Sequence, residues 1–341
     1  MRLPPILLVI AVAAAAGFGA NAAEFKLEEV ASLGATPPRE LKPRTILFVD
    51  QSKDKLADAT TGLIPFEDWV RARPVQQRFL SLFPGFVEPV LKGGAKLKLS
   101  IYVAEARFRL AKPANAFDLS RYATIAFLEN IDPAIKHRPL APADAWPNRD
   151  MPNRTAELAH SRRPDRAWCV DGTTCIESRY KFEGKIPSGI LLANKLRDEN
   201  KKPIPDFIEF QSEMRLYSPQ QPAFAEVNGL TGIDGTPSGV LEQSIFWVNQ
   251  VMQFGKLLAV LQPHPDDANA SIASVYLVLA VRDDVLNKQR DFAKAPILRN
   301  LVPAQLLMGK SSFNAGNSIS AGLPKYARSR IQAIAAIMDG Q

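Results

Sequence analysis

Basic residues never gather in this chain. The formal net charge is +7, yet no block of five or more Lys or Arg occurs. An excess spread so thinly is a solvated basic surface, open at most to peripheral contact with an anionic envelope, and it gives nucleic-acid binding no footing. Histidine and cysteine are scarce, three and two residues respectively. That is a poor zinc ligand set, and Ser-His-Asp catalysis lacks a G-x-S-x-G elbow as well. Gly229, Gly232, Gly235 and Gly239 do not follow the G-x-G-x-x-G order of a nucleotide loop. Beyond the N-terminus no apolar run is fit to cross a bilayer, because Leu241–Leu261 is interrupted by Glu242, Gln243, Asn249, Gln250, Gln253 and Lys256. No internal repeat is present, and no cofactor is expected.

The N-terminus is where the chain is most explicit. Arg2 is followed by an apolar stretch from Ile6 to Phe18 and by Ala20-Asn21-Ala22, a small-x-small cleavage pattern. Met1–Ala23 is therefore expected to be a cleavable signal peptide, cut after Ala22 or Ala23. Its core is shorter than the ~20 residues of a membrane anchor. No cysteine stands near residue 20 for lipid attachment. The mature chain is expected to be soluble and periplasmic or secreted.

Both cysteines lie in Trp168-Cys169-Val-Asp-Gly-Thr-Thr-Cys175. In an oxidising compartment such a pair forms a disulfide. Asp171-Gly172 is tight-turn chemistry, so the bridge is expected to clamp a hairpin. A loop this short contributes roughly 2 kcal/mol. A redox dithiol would call for C-x-x-C spacing, which is absent.

The remainder reads as an extended lead-in over residues 24–44 and an α+β domain over 45–341. Thr45–Asp50, Leu97–Leu110 and Phe207–Tyr217 are expected strands. In the second, the apolar phase slips near Ala104, which predicts a bulge or bend. Phe66–Arg73 is expected to be helical. Residues 132–166 hold Pro133, Pro139, Pro142, Pro147, Pro152 and Pro164 and few aliphatics, and are expected to be a Pro-rich excursion with little regular structure. Ile186–Leu196 is apolar, and Phe292–Phe313 is expected to be partly helical. Asn228–Gly239 reads as a flexible connection. The centre of organisation is Leu241–Arg282. Its first part leans to strand, and Lys256–Leu261 and Ile272–Val281 form a hairpin around a Pro/Asp/Asn turn. Pro324–Met338 is an amphipathic helix with Ala327, Ile331, Ile334 and Met338 on one face, Pro324 at its start and Gly340 past its end. Lys325, Arg328 and Arg330 then crowd its first turn, against the dipole. The expected fold is α+β, a curved and mostly antiparallel sheet packed on a C-terminal amphipathic helix. Its closing order is similar, by analogy only, to the START and Bet v 1-like helix-grip proteins.

Pro263-His264-Pro265-Asp266-Asp267 follows an apolar strand and resembles the zinc signature of the LmbE/PIG-L deacetylases. The resemblance implies His264 and Asp267 as metal ligands and Asp266 as general base on a zinc-bound water. The pattern departs at Ala268, where that family has Glu, and no histidine follows His264. Ordinary turn chemistry accounts for the same residues. The leading expectation is a non-catalytic protein that encloses a small apolar or amphipathic envelope ligand, with Trp247, Phe254, Tyr276 and Asn249 as binding residues. The alternatives are the zinc-dependent hydrolase and an envelope interaction component using 132–166.

Overall fold

The computed structural model describes residues 24–59, 61–73, 98–144, 169, 171–181, 207–217, 219, 223–247, 252–283 and 319–340. In chain order the elements are β1 Lys26–Glu29, β2 Thr45–Asp50, β3 Ile64–Pro65, α1 Phe66–Ala72, β4 Leu99–Leu110, α2 Ile125–Ile131, β5 Ile135–Pro139, β6 Thr173–Lys181, β7 Phe207–Tyr217, α3 Ala223–Thr231, β8 Gly239–Trp247, β9 Met252–His264, β10 Asp267–Arg282 and α4 Ile319–Gly340. The ten strands form one curved, unclosed sheet in the order β1-β2-β4-β10-β9-β8-β7-β6-β5, with β3 pairing β4 beyond the end of β2. Among the described strand pairs only β1–β2 is parallel. The expected α+β class, the final hairpin and the C-terminal helix packed on strands are all present.

The long hairpin β9–β10 sits at the centre, so its residues are covered on both faces. On one face Leu257, Leu261, Ala273, Val275, Leu277 and Leu279 join Tyr102, Ala104, Ala106 and Phe108 beneath α4. On the other, Leu258, Val260, Tyr276 and Val278 join Ile101 and Val103 against Trp69 of α1 and Val227 of α3. This explains the phase slip read in β4. The strand pairs β10 without interruption from Leu99 to Leu110, so there is no bulge. Apolar residues simply occupy both faces, and alternation fails as a guide when neither face meets water.

Three expectations are corrected. Helix α4 begins at Ile319, so Pro324 lies inside it and Gly340 is its last residue. Arg328 and Arg330 consequently stand mid-helix, away from the dipole's positive end. Arg328 pairs with Glu29 and, at 2.8 Å, with Asp50. The connection at Asn228–Gly239 is partly helix α3. Arg107, buried within the sheet, donates to the carbonyls of Thr231 and Leu33, and Tyr276 Oη donates to the Leu230 carbonyl at 3.1 Å. Together they satisfy the carbonyl end of α3, where a cation is favoured. Finally, the Pro-rich excursion opens with edge strand β5. The extended lead-in holds edge strand β1. The signal segment, Leu97, Ile186–Leu196, Phe292–Phe313 and residues 145–166 of the excursion lie outside the described residues.

Candidate functional site

The residues singled out from sequence do not converge on one place. Phe254 and Tyr276 share the apolar cluster on the face away from α4, both almost fully buried. Trp247 ends β8, its backbone opposite Gln211. Its side chain and all of Asn249 lie outside the description. His264, Asp266 and Asp267 form the β9–β10 turn. His264 Nδ1 accepts the Asp266 amide at 3.2 Å, Asp267 is ion-paired with Arg109, and its other oxygen accepts the Asn269 amide at 2.9 Å. Among the described residues no group of three His, Cys, Asp or Glu side chains is placed to hold a metal. Cys169 and Cys175 are disulfide-bonded, with Cα atoms 5.4 Å apart. The bridge fastens the approach to β6 onto β6 itself, and the Cys169 amide donates to Glu213 Oε2 at 3.1 Å.

What the fold does assemble is two buried polar groups, back to back across strands β5 to β9. On the face away from α4, Lys256 and Glu242 form an ion pair at 2.6 Å, both at 2 % side-chain exposure. Tyr217 Oη and Ser244 Oγ donate to the same carboxylate at 2.6 and 2.7 Å. Each Glu242 oxygen is satisfied and its charge is neutralised, so this group closes on itself.

The second group lies under α4. Its buried stripe runs Leu323, Ala327, Arg330, Ile331, Ile334, Ala335, Met338, and Arg330 is the one charge in it at 8 % exposure. Arg330 Nη2 donates to Gln243 Oε1 at 2.8 Å and Nη1 to Tyr326 Oη at 3.0 Å. Gln243 Nε2 in turn donates to Ser212 Oγ at 3.3 Å. On the neighbouring strands His137 Nδ1 and Ser178 Oγ are 2.8 Å apart. Around these lie Ile131, Ile176, Met214 and Leu241, all apolar and buried. Thr124 caps α2 by accepting the Phe127 amide at 3.2 Å, and that short helix delivers Ile131 and Asp132 to the rim.

The electrostatics of the second group are unbalanced. No carboxylate oxygen of the described residues lies within 4.0 Å of the Arg330 guanidinium. Asp132 is the acid that feels its charge, yet burial holds that carboxyl above its ordinary range, with Arg330 and the Ala134 amide pulling the other way. Burial and then the Arg330 charge push the His137 imidazole down to about 4. Its Nε2 is buried with no hydrogen-bond partner among the described residues. Burial also lifts the Tyr326 hydroxyl above the tyrosine range. A cluster of shifted groups beside an apolar lining is what a ligand site requires.

The sequence places Arg330 in the first turn of the helix, against the dipole, and not in its apolar stripe. The signal was there in its spacing, three residues after Ala327 and four before Ile334, but the helix start had been set too late by Pro324. Gln243 and Glu242 were read as interruptions of an apolar run. Their alternation with Leu241 and Val240 marks them as interior on opposite faces. No protein-family model matches the chain, and no curated protein sequence matches it.

Proposed function

We propose that this chain is an exported protein that binds a small amphipathic molecule between helix α4 and the β5–β8 part of the sheet, without catalysis. The observation that carries the reading is the polar diagonal of half-buried His137 and buried Ser178, Ser212 and Gln243, which abuts the apolar cluster beneath α4. An interior that grades from aliphatic to polar across a few residues favours a ligand with one greasy and one polar end. The signal-peptide pattern at Met1–Ala23 and the disulfide both favour an envelope location. No helix among the described residues is long and apolar enough to cross a membrane.

The test is native mass spectrometry and organic extraction of the full chain expressed with its own leader in a bacterial host. The expected result is a mature chain beginning at Ala23 or Glu24 that carries an extractable amphiphile. Protein that exports and folds but carries nothing, and that takes up no amphiphile from a panel of single-chain lipids, overturns the reading.

A further inference from the structure

The chemistry under α4 is specific as to charge. Arg330 offers five N–H donors, and the two bonds it makes among the described residues go to neutral oxygens, those of Gln243 and Tyr326. A guanidinium taken out of water is strongly destabilised unless a negative charge meets it. Here no described carboxylate lies within 4.0 Å of it, and burial raises the Asp132 carboxyl while the Arg330 charge lowers it. His137 adds a second buried nitrogen, Nε2, that faces no described acceptor or donor. A ligand with a cationic head would be repelled, and one with an uncharged head would leave the guanidinium as it is. Resting on the amphiphile reading above, we infer that the bound molecule carries an oxyanion head, a carboxylate or a phosphate, which Arg330 receives through the N–H groups that have no partner among the described residues, with Tyr326 and His137 beside it. Held by Gln243, with its Cζ 5.8 Å from the Tyr326 ring centroid, the guanidinium is fixed in place for charge-assisted bonds to such a head. The apolar tail then lies along Ile131, Met214 and Ile331.

Four probes of one chain length separate the possibilities by calorimetry on the full chain: dodecanoate, dodecyl phosphate, dodecanol and dodecyltrimethylammonium. Wild type is expected to bind the two anions roughly 10- to 100-fold more tightly than the alcohol, and the cation worst of all. The tighter of the two anions distinguishes a fatty-acid-like from a phospholipid-like head. Arg330→Gln should abolish that preference while leaving dodecanol within about twofold, and Arg330→Lys should restore part of it. If Arg330→Gln does not fold, as judged by circular dichroism, the wild-type ranking and the His137 ring-proton titration still decide. Binding of dodecanoate should raise the His137 pKa, and dodecanol should not. Equal affinity for alcohol and anions, or equal weakening of all four by the substitution, overturns the anion assignment but leaves amphiphile binding standing. Failure of every probe to bind wild type overturns both.

Discussion

At the scale of single residues, the two buried polar groups should respond differently to substitution. Lys256→Met strips the cation from a carboxylate that stays buried, and a loss of about 3–5 kcal/mol in urea unfolding is expected. Glu242→Gln combined with Lys256→Met should recover more than half of that loss, because neither charge is then left alone. Simple additivity of the two single changes would show that the pair is not coupled. His137 makes a prediction in pH. Its folded value is depressed to about 4, so the unfolded chain takes up the proton first as pH falls from about 6.5. The stability that the neutral ring carries is full above that point and is lost progressively down to about 4. Asp132 runs the other way, since its raised carboxyl binds a proton more readily when folded and its effect favours the native state on acidification. Glu129 raises the His137 value, and Arg330 and Lys136 lower it. Melting curves of wild type and His137→Asn should therefore converge between pH 6.5 and 4. Parallel curves would mean the ring titrates normally.

At the scale of elements, α4 is held by its apolar stripe more than by its ion pairs. Ile331 is fully buried, and Ile331→Ala should cost about 2–5 kcal/mol through lost contact and a residual cavity. Arg328 bridges Glu29 and Asp50 and lies 5.4 Å from the Phe48 ring centroid, but is one-third exposed. Arg328→Ala should cost less, about 1–2 kcal/mol, because the partly exposed cation leaves a buried Asp50 that still accepts the Ser52 amide. The reverse order in chemical denaturation would mean that electrostatics dock this helix. Helix α3 teaches a related lesson. Asn228, Gly229 and Thr231 are poor helix formers, so the segment reads as a loop. It is helical because the Val227 side chain is buried and because Arg107 and Tyr276 complete its last turn.

At the scale of the whole molecule, the sheet carries structure from one edge to the other without closing. The Cys169–Cys175 bridge works on the β5–β6 edge region, where Leu140 packs against Cys169. Replacing both cysteines with serine should lower stability by roughly 2 kcal/mol in a reversible melt, as expected for a short closed loop. It should leave the central β4–β10–β9 core folded. Loss of all cooperative unfolding on reduction would place the bridge at the centre of the fold instead.

Much of the local chemistry was legible, with helix α3 and the start of α4 the exceptions. Turn residues at 262–269, the β-branched and aromatic density of Thr45–Asp50 and Phe207–Tyr217, and two cysteines six positions apart are relations between near neighbours, which a chain expresses before it folds. The amphipathic helix at the C-terminus and the class of fold follow from the same short-range patterns. The polar cluster under α4 does not. Arg330 and Gln243 stand 87 positions apart, and nothing local to either says that they meet. Only the strand order that brings β8 beneath α4 makes one residue the other's partner, and only tertiary packing buries Arg330 against neutral oxygens.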